Sequence, residues 1–273
     1  MMTSPPVPRP SNQFRATPFG NSTVDSDGPR TSLLALNDLV RAEDLSVVFQ
    51  PIVRMDPPGL FAFEALLRCS RPDLTHPEAL FDRALEGHCC GRLGRMIREI
   101  AIPLCAGIPV FLNIHPQELQ DRWLVRPDDP IYTHDSDVYL EITEAVPFNH
   151  YELVRDVLRE VRGRANVHLV IDDLGAGFSN LKRIADLEPR VVKIDRQLIQ
   201  GLDNSQRHRT LLRSIVRLCE DLDAEVVAEG IETRGEAVAV HDAGVRFAQG
   251  FLYARPAFPL PKPTLRPIPR GAT

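Results

Sequence analysis

The sequence predicts an α/β fold: a TIM-like (β/α)8 barrel whose first strand pair is antiparallel. Three observations carry that prediction. Eight short β-rich runs succeed one another, helical patterns separate most of them, and the first gap is too short for a helix. The runs are "SVVFQPIV", "LFAFEALLR", "VFLN", "VYLEIT", "HLVIDD", "VVKID", "EVVAE" and "FAQGFLY".

Little more than "MDPPG" lies between the first two runs. A connection of that length makes a hairpin, so these two strands pair antiparallel. A helical pattern from Pro77 to Ala106 then leads towards "VFLN", where Pro116 ends the extended run and leaves His115 as a loop or helix-start residue. Further helical patterns span Tyr151 to Arg162, Ser179 to Ala185, Ser205 to Asp221 and Gly235 to Ala243. Strands alternating with helices in this way form a parallel sheet, and about eight of them close into a barrel.

The barrel is expected over residues 33–258. Residues 1–32 are rich in Pro, Ser, Asn and Gly and are expected to be disordered. Residues 259–273 carry proline too often for a helix or an inner strand and read as an extended tail.

The formal net charge of −5 over 273 residues offers no broad basic face, so DNA or RNA binding is not expected. An anionic ligand must therefore be held locally. No apolar stretch reaches the roughly 18 residues that span a bilayer, and the start of the chain lacks a signal-peptide core, so a cytoplasmic protein is expected. Cys69, Cys89, Cys90, Cys105 and Cys219 have no C-x-x-C spacing and read as reduced core residues.

The strand ends share a pattern. "VFLN" ends in Asn113, "VYLE" in Glu141, "HLVIDD" in Asp172 and Asp173, and "EVVAE" in Glu229, while "VVKID" carries Lys193 and Asp195. In a parallel barrel these ends share one face, the face on which such barrels build their sites. Two adjacent carboxylates at a strand exit raise a specific question, because alternation would drive one of them into the core unless the chain is already turning. Carboxylates converging there, with Glu64 among them, repel one another unless they are protonated or bridged by cations. Oxygen ligands without a His or Cys set favour Mg²⁺ or Mn²⁺ over zinc. An acidic cluster large enough for two ions, with one positioned lysine, suits hydrolysis of a phosphate ester by metal-activated water.

The blocks "FQPIV", "FEALLR", "LNIHPQEL", "LEITE", "IDDLGAGFSNL", "VVKIDRQLI", "VAEGIET" and "AQGFLYARP" stand in one order between Leu45 and about Pro256. Together they resemble the EAL-domain cyclic di-GMP phosphodiesterases of bacterial signalling, with the signature tripeptide at Glu64-Ala65-Leu66. The resemblance implies that Glu64, Asn113, Glu141, Asp172, Asp173 and Glu229 hold two Mg²⁺ or Mn²⁺ ions. It implies catalytic roles for Glu64, Lys193 and Glu229, Lys193 holding or polarising the attacking water. Gln50, Leu66, Arg68 and Gln249 are implied as substrate-side residues, and Glu144 and Glu232 as loop supports. The implied reaction opens cyclic di-GMP to linear pGpG; Ca²⁺ is expected to inhibit, and a homodimer is implied. Cys69, His115, Leu174, Ala176, Phe178 and Asn180 depart from the usual family wording, yet none removes an implied ligand. Two alternatives stay open: a receptor of the same fold that holds cyclic di-GMP without cutting it, and another metal-dependent barrel enzyme.

Overall fold

The computed structural model describes residues 36, 37, 39–120, 122–143, 151–175 and 181–268. The expected disorder of residues 1–32, the support role of Glu144 and the departures at Ala176, Phe178 and Asn180 lie outside the described residues. Eight strands close a barrel in sequence order. They are β1 (Leu45–Arg54), β2 (Gly59–Cys69), β3 (Val110–Asn113), β4 (Val138–Thr143), β5 (Val167–Leu174), β6 (Val191–Ile194), β7 (Glu225–Ala228) and β8 (Phe247–Ala248). β1 runs antiparallel to both β2 and β8, and all other neighbours are parallel.

Period-two alternation builds the barrel interior. One layer is apolar and takes one residue from each strand: Ile52, Ala62, Phe111, Tyr139, Val170, Val191, Val227 and Phe247. Aromatic contacts fill it, with Phe111 stacked on Tyr139 at 4.3 Å and Phe61 tilted against Phe247 at 4.2 Å. Two residues along each strand, towards the C-terminal mouth of the parallel strands, stand Gln50, Glu64, Asn113, Glu141, Asp172, Lys193, Glu229 and Gln249. On β1 the step runs backwards along the chain, as its reversed direction requires. The apolar layer thus forms a dry floor beneath a polar ring.

Helices α1 (Pro77–Glu86), α2 (Cys90–Leu104), α3 (Pro116–Gln120), α4 (Tyr151–Arg162), α5 (Lys182–Leu187), α6 (Arg196–Ile199), α7 (Gln206–Asp221) and α8 (Arg234–Asp242) are the α-helical elements defined among the described residues. The single helix expected from Pro77 to Ala106 is two, because Gly87 and His88 interrupt it, His88 with φ of +51°. The last strand is also shorter than expected. Only Phe247 and Ala248 pair, and the chain turns away over Gly250.

α2 carries a buried charge. Arg98 donates to Glu118 on α3 at 2.6 Å and to Asp129 at 2.9 Å, and both carboxylates are fully buried. Glu118 in turn accepts from the His115 backbone at 3.0 Å, which ties the triad to the loop leaving β3. Removing the guanidinium would strand two acids in the core. Arg98→Met should therefore cost about 3–5 kcal/mol, a fall in melting temperature of about 10 °C. A thermal scan showing no loss would mean the triad contributes nothing net.

The proline-rich segment after Tyr253 lies back on the barrel. Ala257 exchanges two backbone hydrogen bonds with Phe49, Thr264 N–H donates to the Tyr253 carbonyl at 2.9 Å, and Arg234 donates to the Pro267 carbonyl at 2.9 Å. Leu260 and Ile268 pack partly buried against the main core. Residues 259–268 contain no helix or strand. Among the described residues no helix is long and apolar enough to cross a membrane.

Candidate functional site

Lys193 occupies the centre of the polar ring, 1% exposed. Its ammonium lies 2.7 Å from Glu141 Oε1, 2.7 Å from Glu229 Oε1, 3.3 Å from Asp172 Oδ1 and 3.5 Å from Glu64 Oε1. Burial alone would lower its pKa, but Asp172, Glu141, Glu229 and Glu64 more than offset that and hold it well above the usual lysine value. It is a cation here, able to donate hydrogen bonds but not to accept a proton.

The carboxylates meet the opposite pressure. Glu141 is fully buried, and desolvation, reinforced by Glu64 and Asp172, raises its pKa well above the ordinary value despite Lys193. Among the described residues its Oε2 is buried with no hydrogen-bond partner, and Oε1, although close to Lys193, lacks good hydrogen-bond geometry. Glu229 is pushed from 4.5 to about 8, first by burial and then by Asp172 and Glu64 against the attraction of Lys193. A buried acceptor left unpaired costs about 1–3 kcal/mol or more for a charged group. Among the described residues the Glu141 oxygens lack partners that a cation would supply.

The paired aspartates are presented by a bulge. The pairing of β5 with β6 shifts register between Ile171 and Leu174, and Asp173 takes φ of +61°, a left-handed conformation that Asp tolerates. Alternation is broken there, so Asp173 is not driven into the core behind Asp172. Asp172 Oδ1 also accepts from the Asp173 backbone at 3.0 Å. As a result Asp172, Asp173 and Glu229 bring carboxylate oxygens within 4.8 Å of one another, a group able to hold a metal ion. Glycines border both strand ends. A Cβ on Gly175 would meet Leu198 at 2.4 Å and one on Gly230 would meet Arg196 at 2.4 Å, both at positive φ.

Glu64 links this cluster to the far wall. Gln249 Nε2 donates to Glu64 Oε2 at 2.6 Å and to Gln50 Oε1 at 3.1 Å, while Asn113 Nδ2 approaches Glu64 Oε1 at 3.4 Å. Among the described residues Gln249 Oε1 is buried and has no hydrogen-bond partner. A cleft of about 320 Å³ opens above, and Gln50, Glu64, Leu66, Asp173, Glu229, Glu232 and Gln249 help to line it. Arg68 does not line it: the side chain is exposed and donates to the Leu67 carbonyl at 2.8 Å. Asn113 is exposed at the end of β3.

Sequence reasoning missed several contributors. Arg196, Gly230, Gly250 and Phe251 also line the cleft. Glu236 is the residue that anchors the loop after β7, accepting from the Glu232, Thr233 and Gly201 backbones at 3.0, 3.0 and 3.2 Å. The signal for it was present in Thr233-Arg234-Gly235-Glu236, the spacing of a capping box, which the structure forms at the start of α8. Asp195 caps α6 by accepting from Gln197 N–H at 2.8 Å.

The comparisons agree with this geometry. The sequence model of the EAL domain matches residues 34–256. The cyclic di-GMP phosphodiesterase RocR of Pseudomonas aeruginosa is 31% identical over 245 residues, covering 82% of this chain and 61% of RocR. Among solved structures, BlrP1 of Klebsiella pneumoniae in a manganese/cy-diGMP complex aligns with a TM-score of 0.68 at 28% identity, over 80% of this chain and 57% of that one. A standalone versatile EAL protein of Vibrio cholerae, in a c-di-GMP-bound form, aligns at 0.67 and 26% identity, over 81% of this chain and 96% of that one. The chain spans 61% of RocR and 28% of a Caulobacter vibrioides signaling protein to which it is 27% identical, so it covers less than two thirds of either. With most of the chain matched and the barrel shared, this protein belongs to the EAL domain family.

Proposed function

We propose that the protein hydrolyses one phosphodiester bond of cyclic di-GMP to give linear pGpG, using two Mg²⁺ or Mn²⁺ ions held by Glu64, Asn113, Glu141, Asp172, Asp173 and Glu229. One observation carries the reading: four carboxylates, Glu64, Glu141, Asp172 and Glu229, crowd the buried Lys193 ammonium, and Asp173, beside Asp172 on a bulge, brings a fifth to the same oxygen cluster. The donor set is all oxygen, which fits hard divalent ions, and the unpartnered Glu141 Oε2 and the raised Glu229 carboxyl fit them too. Bound there, such ions supply an activated water and neutralise charge on the phosphate.

The remaining work falls to the chain's own groups. Lys193, held protonated, orients the incoming water by donating to its oxygen. The water oxygen bonds to phosphorus, the bond to the 3′ oxygen breaks, and the proton ends on that leaving oxygen. Among the described residues no donor meets Gln249 Oε1, which accepts from a water or a ligand N–H. Arg68 donates through Nη1 to the Leu67 carbonyl, and its guanidinium fork would give a phosphate a charge-assisted contact. The proposal includes a cytoplasmic setting, inhibition by Ca²⁺ and a homodimer.

Incubation with cyclic di-GMP and Mg²⁺ or Mn²⁺, followed by chromatography, tests the reaction. Conversion to pGpG that stops on chelation is the expected result. Tight binding in Ca²⁺ with no conversion in Mg²⁺ or Mn²⁺ would make the protein a receptor, and no binding at all would sink the reading.

A proton balance tests the ion site separately. With its pKa near 8, Glu229 is protonated at pH 7 in the ion-free protein, so a bound cation must displace that proton. Calorimetric titration of the chelator-stripped protein with Mg²⁺ in buffers of different ionisation enthalpy should report net proton release, to which Glu141, also raised, adds. The sign for folding follows. A carboxyl raised from 4.5 stabilises the ion-free fold fully below 4.5, and that contribution is lost as pH climbs through about 8. An ion-binding enthalpy independent of buffer would remove Glu229 from the ligand set.

A further inference from the structure

We infer that the C-terminal strap, Ala254 to Ile268, is a positioning element for Glu64. Most of the strap lies beyond residue 256, where the family match ends. The inference rests on the acidic cleft being an ion site.

The connection is a chain of side-chain amides whose polarity is fixed from both ends. The Ala254 carbonyl can only accept, so Gln50 presents Nε2 to it, at 3.1 Å, and turns Oε1 the other way. The Glu64 carboxylate also only accepts, so Gln249 must present Nε2, at 2.6 Å. The second hydrogen of that nitrogen meets Gln50 Oε1 at 3.1 Å. Both ends demand the same amide orientations. Gln50 and Gln249 are 8% and 3% exposed, so water does little to compete for these bonds.

The strap holds the first link in place. Ala257 and Phe49 exchange N–H to carbonyl bonds at 2.9 and 3.0 Å, beside Gln50 on β1. Further along, Thr264 is tied to Tyr253 and Pro267 to Arg234. Without the tether, the Ala254 carbonyl is free to leave Gln50, whose amide then loses its reason to point Oε1 at Gln249. One of the two donors of Gln249 is left unpaired in a buried site, and Glu64 loses a defined orientation.

The test measures Mn²⁺ affinity by electron paramagnetic resonance on chelator-stripped protein, well below the melting temperature of every variant. Four proteins are compared: the full chain, a chain truncated after Pro256, Gln50→Met, and the two changes combined. Truncation and Gln50→Met should each weaken Mn²⁺ binding by about fivefold to tenfold, and the combination should be no weaker than either. Wild-type affinity in the truncated protein, or additive losses, would reduce the strap to packing and overturn the inference. Should the truncated chain not fold, Ala257→Pro removes the tethering N–H while keeping the strap, with the same loss expected. A full chain that binds no Mn²⁺ would defeat the ion-site reading and this inference with it; a full chain that binds normally beside unaffected strap variants would defeat the inference alone.

Discussion

Replacing Lys193 by alanine should lower turnover of cyclic di-GMP by about 10²–10³-fold while changing its affinity by less than about threefold. The reason is where the ammonium sits. It lies below the cleft, among Glu64, Glu141, Asp172 and Glu229, and is not among the residues lining the space where a ligand would lie. A group so placed acts on the water and on the carboxylates, with little effect on ground-state binding of the dinucleotide. The substitution has a second consequence. It removes the cation that, among the described residues, stands in a buried acidic ring, so the ion-free variant should melt well below wild type, and saturating Mg²⁺ should recover more stability than it adds to wild type. Loss of affinity with turnover preserved would make Lys193 a binding residue.

Much of the barrel could be read from alternation. Each strand places an apolar residue two positions from a polar one: Phe111 and Asn113, Tyr139 and Glu141, Val170 and Asp172, Val191 and Lys193. That pattern marks both the strand and its site residue, because one side chain fills the floor and the next on the same face reaches the mouth. Asp173 was different. Its neighbour's alternation would have sent it inward, and only the register shift in β5 explains how both acids reach one cluster.

What the sequence hid follows from tertiary contact. The break at Gly87 and His88 interrupts a pattern that remains helical on both sides, so periodicity ran through it. Arg98 looks like a solvent-facing residue in sequence and is buried because Glu118 and Asp129, 20 and 31 residues away, come to meet it. The bond from Gln50 to Ala254 spans 204 residues and uses a backbone carbonyl, which carries no sequence signal. Proline content argued against helix over residues 259–273, and residues 259–268 contain none, but it could not reveal that the segment lies on the barrel.

Glu64→Ala should abolish ion-dependent hydrolysis, a loss of at least about 10³-fold, and weaken ion binding by more than the 10- to 100-fold typical of an outer support. Glu64 receives Gln249 on one oxygen and lies near Asn113 and Lys193 on the other, so its removal disturbs both walls of the ring. Alanine alone would leave open whether charge or packing matters, and Glu64→Gln separates them. Glutamine keeps an acceptor for Gln249 and fills the same space, but it withdraws one negative charge from a site that has too many. The ion-free Glu64→Gln protein should therefore melt at or above wild type while remaining as inactive as Glu64→Ala. That divergence is the mark of a residue whose charge opposes the empty fold and is retained for the ions. Activity above about a tenth of wild type in either variant would remove Glu64 from the metal site, and a lower ion-free melting temperature in Glu64→Gln would show that the Lys193 contact outweighs the crowding of the acids.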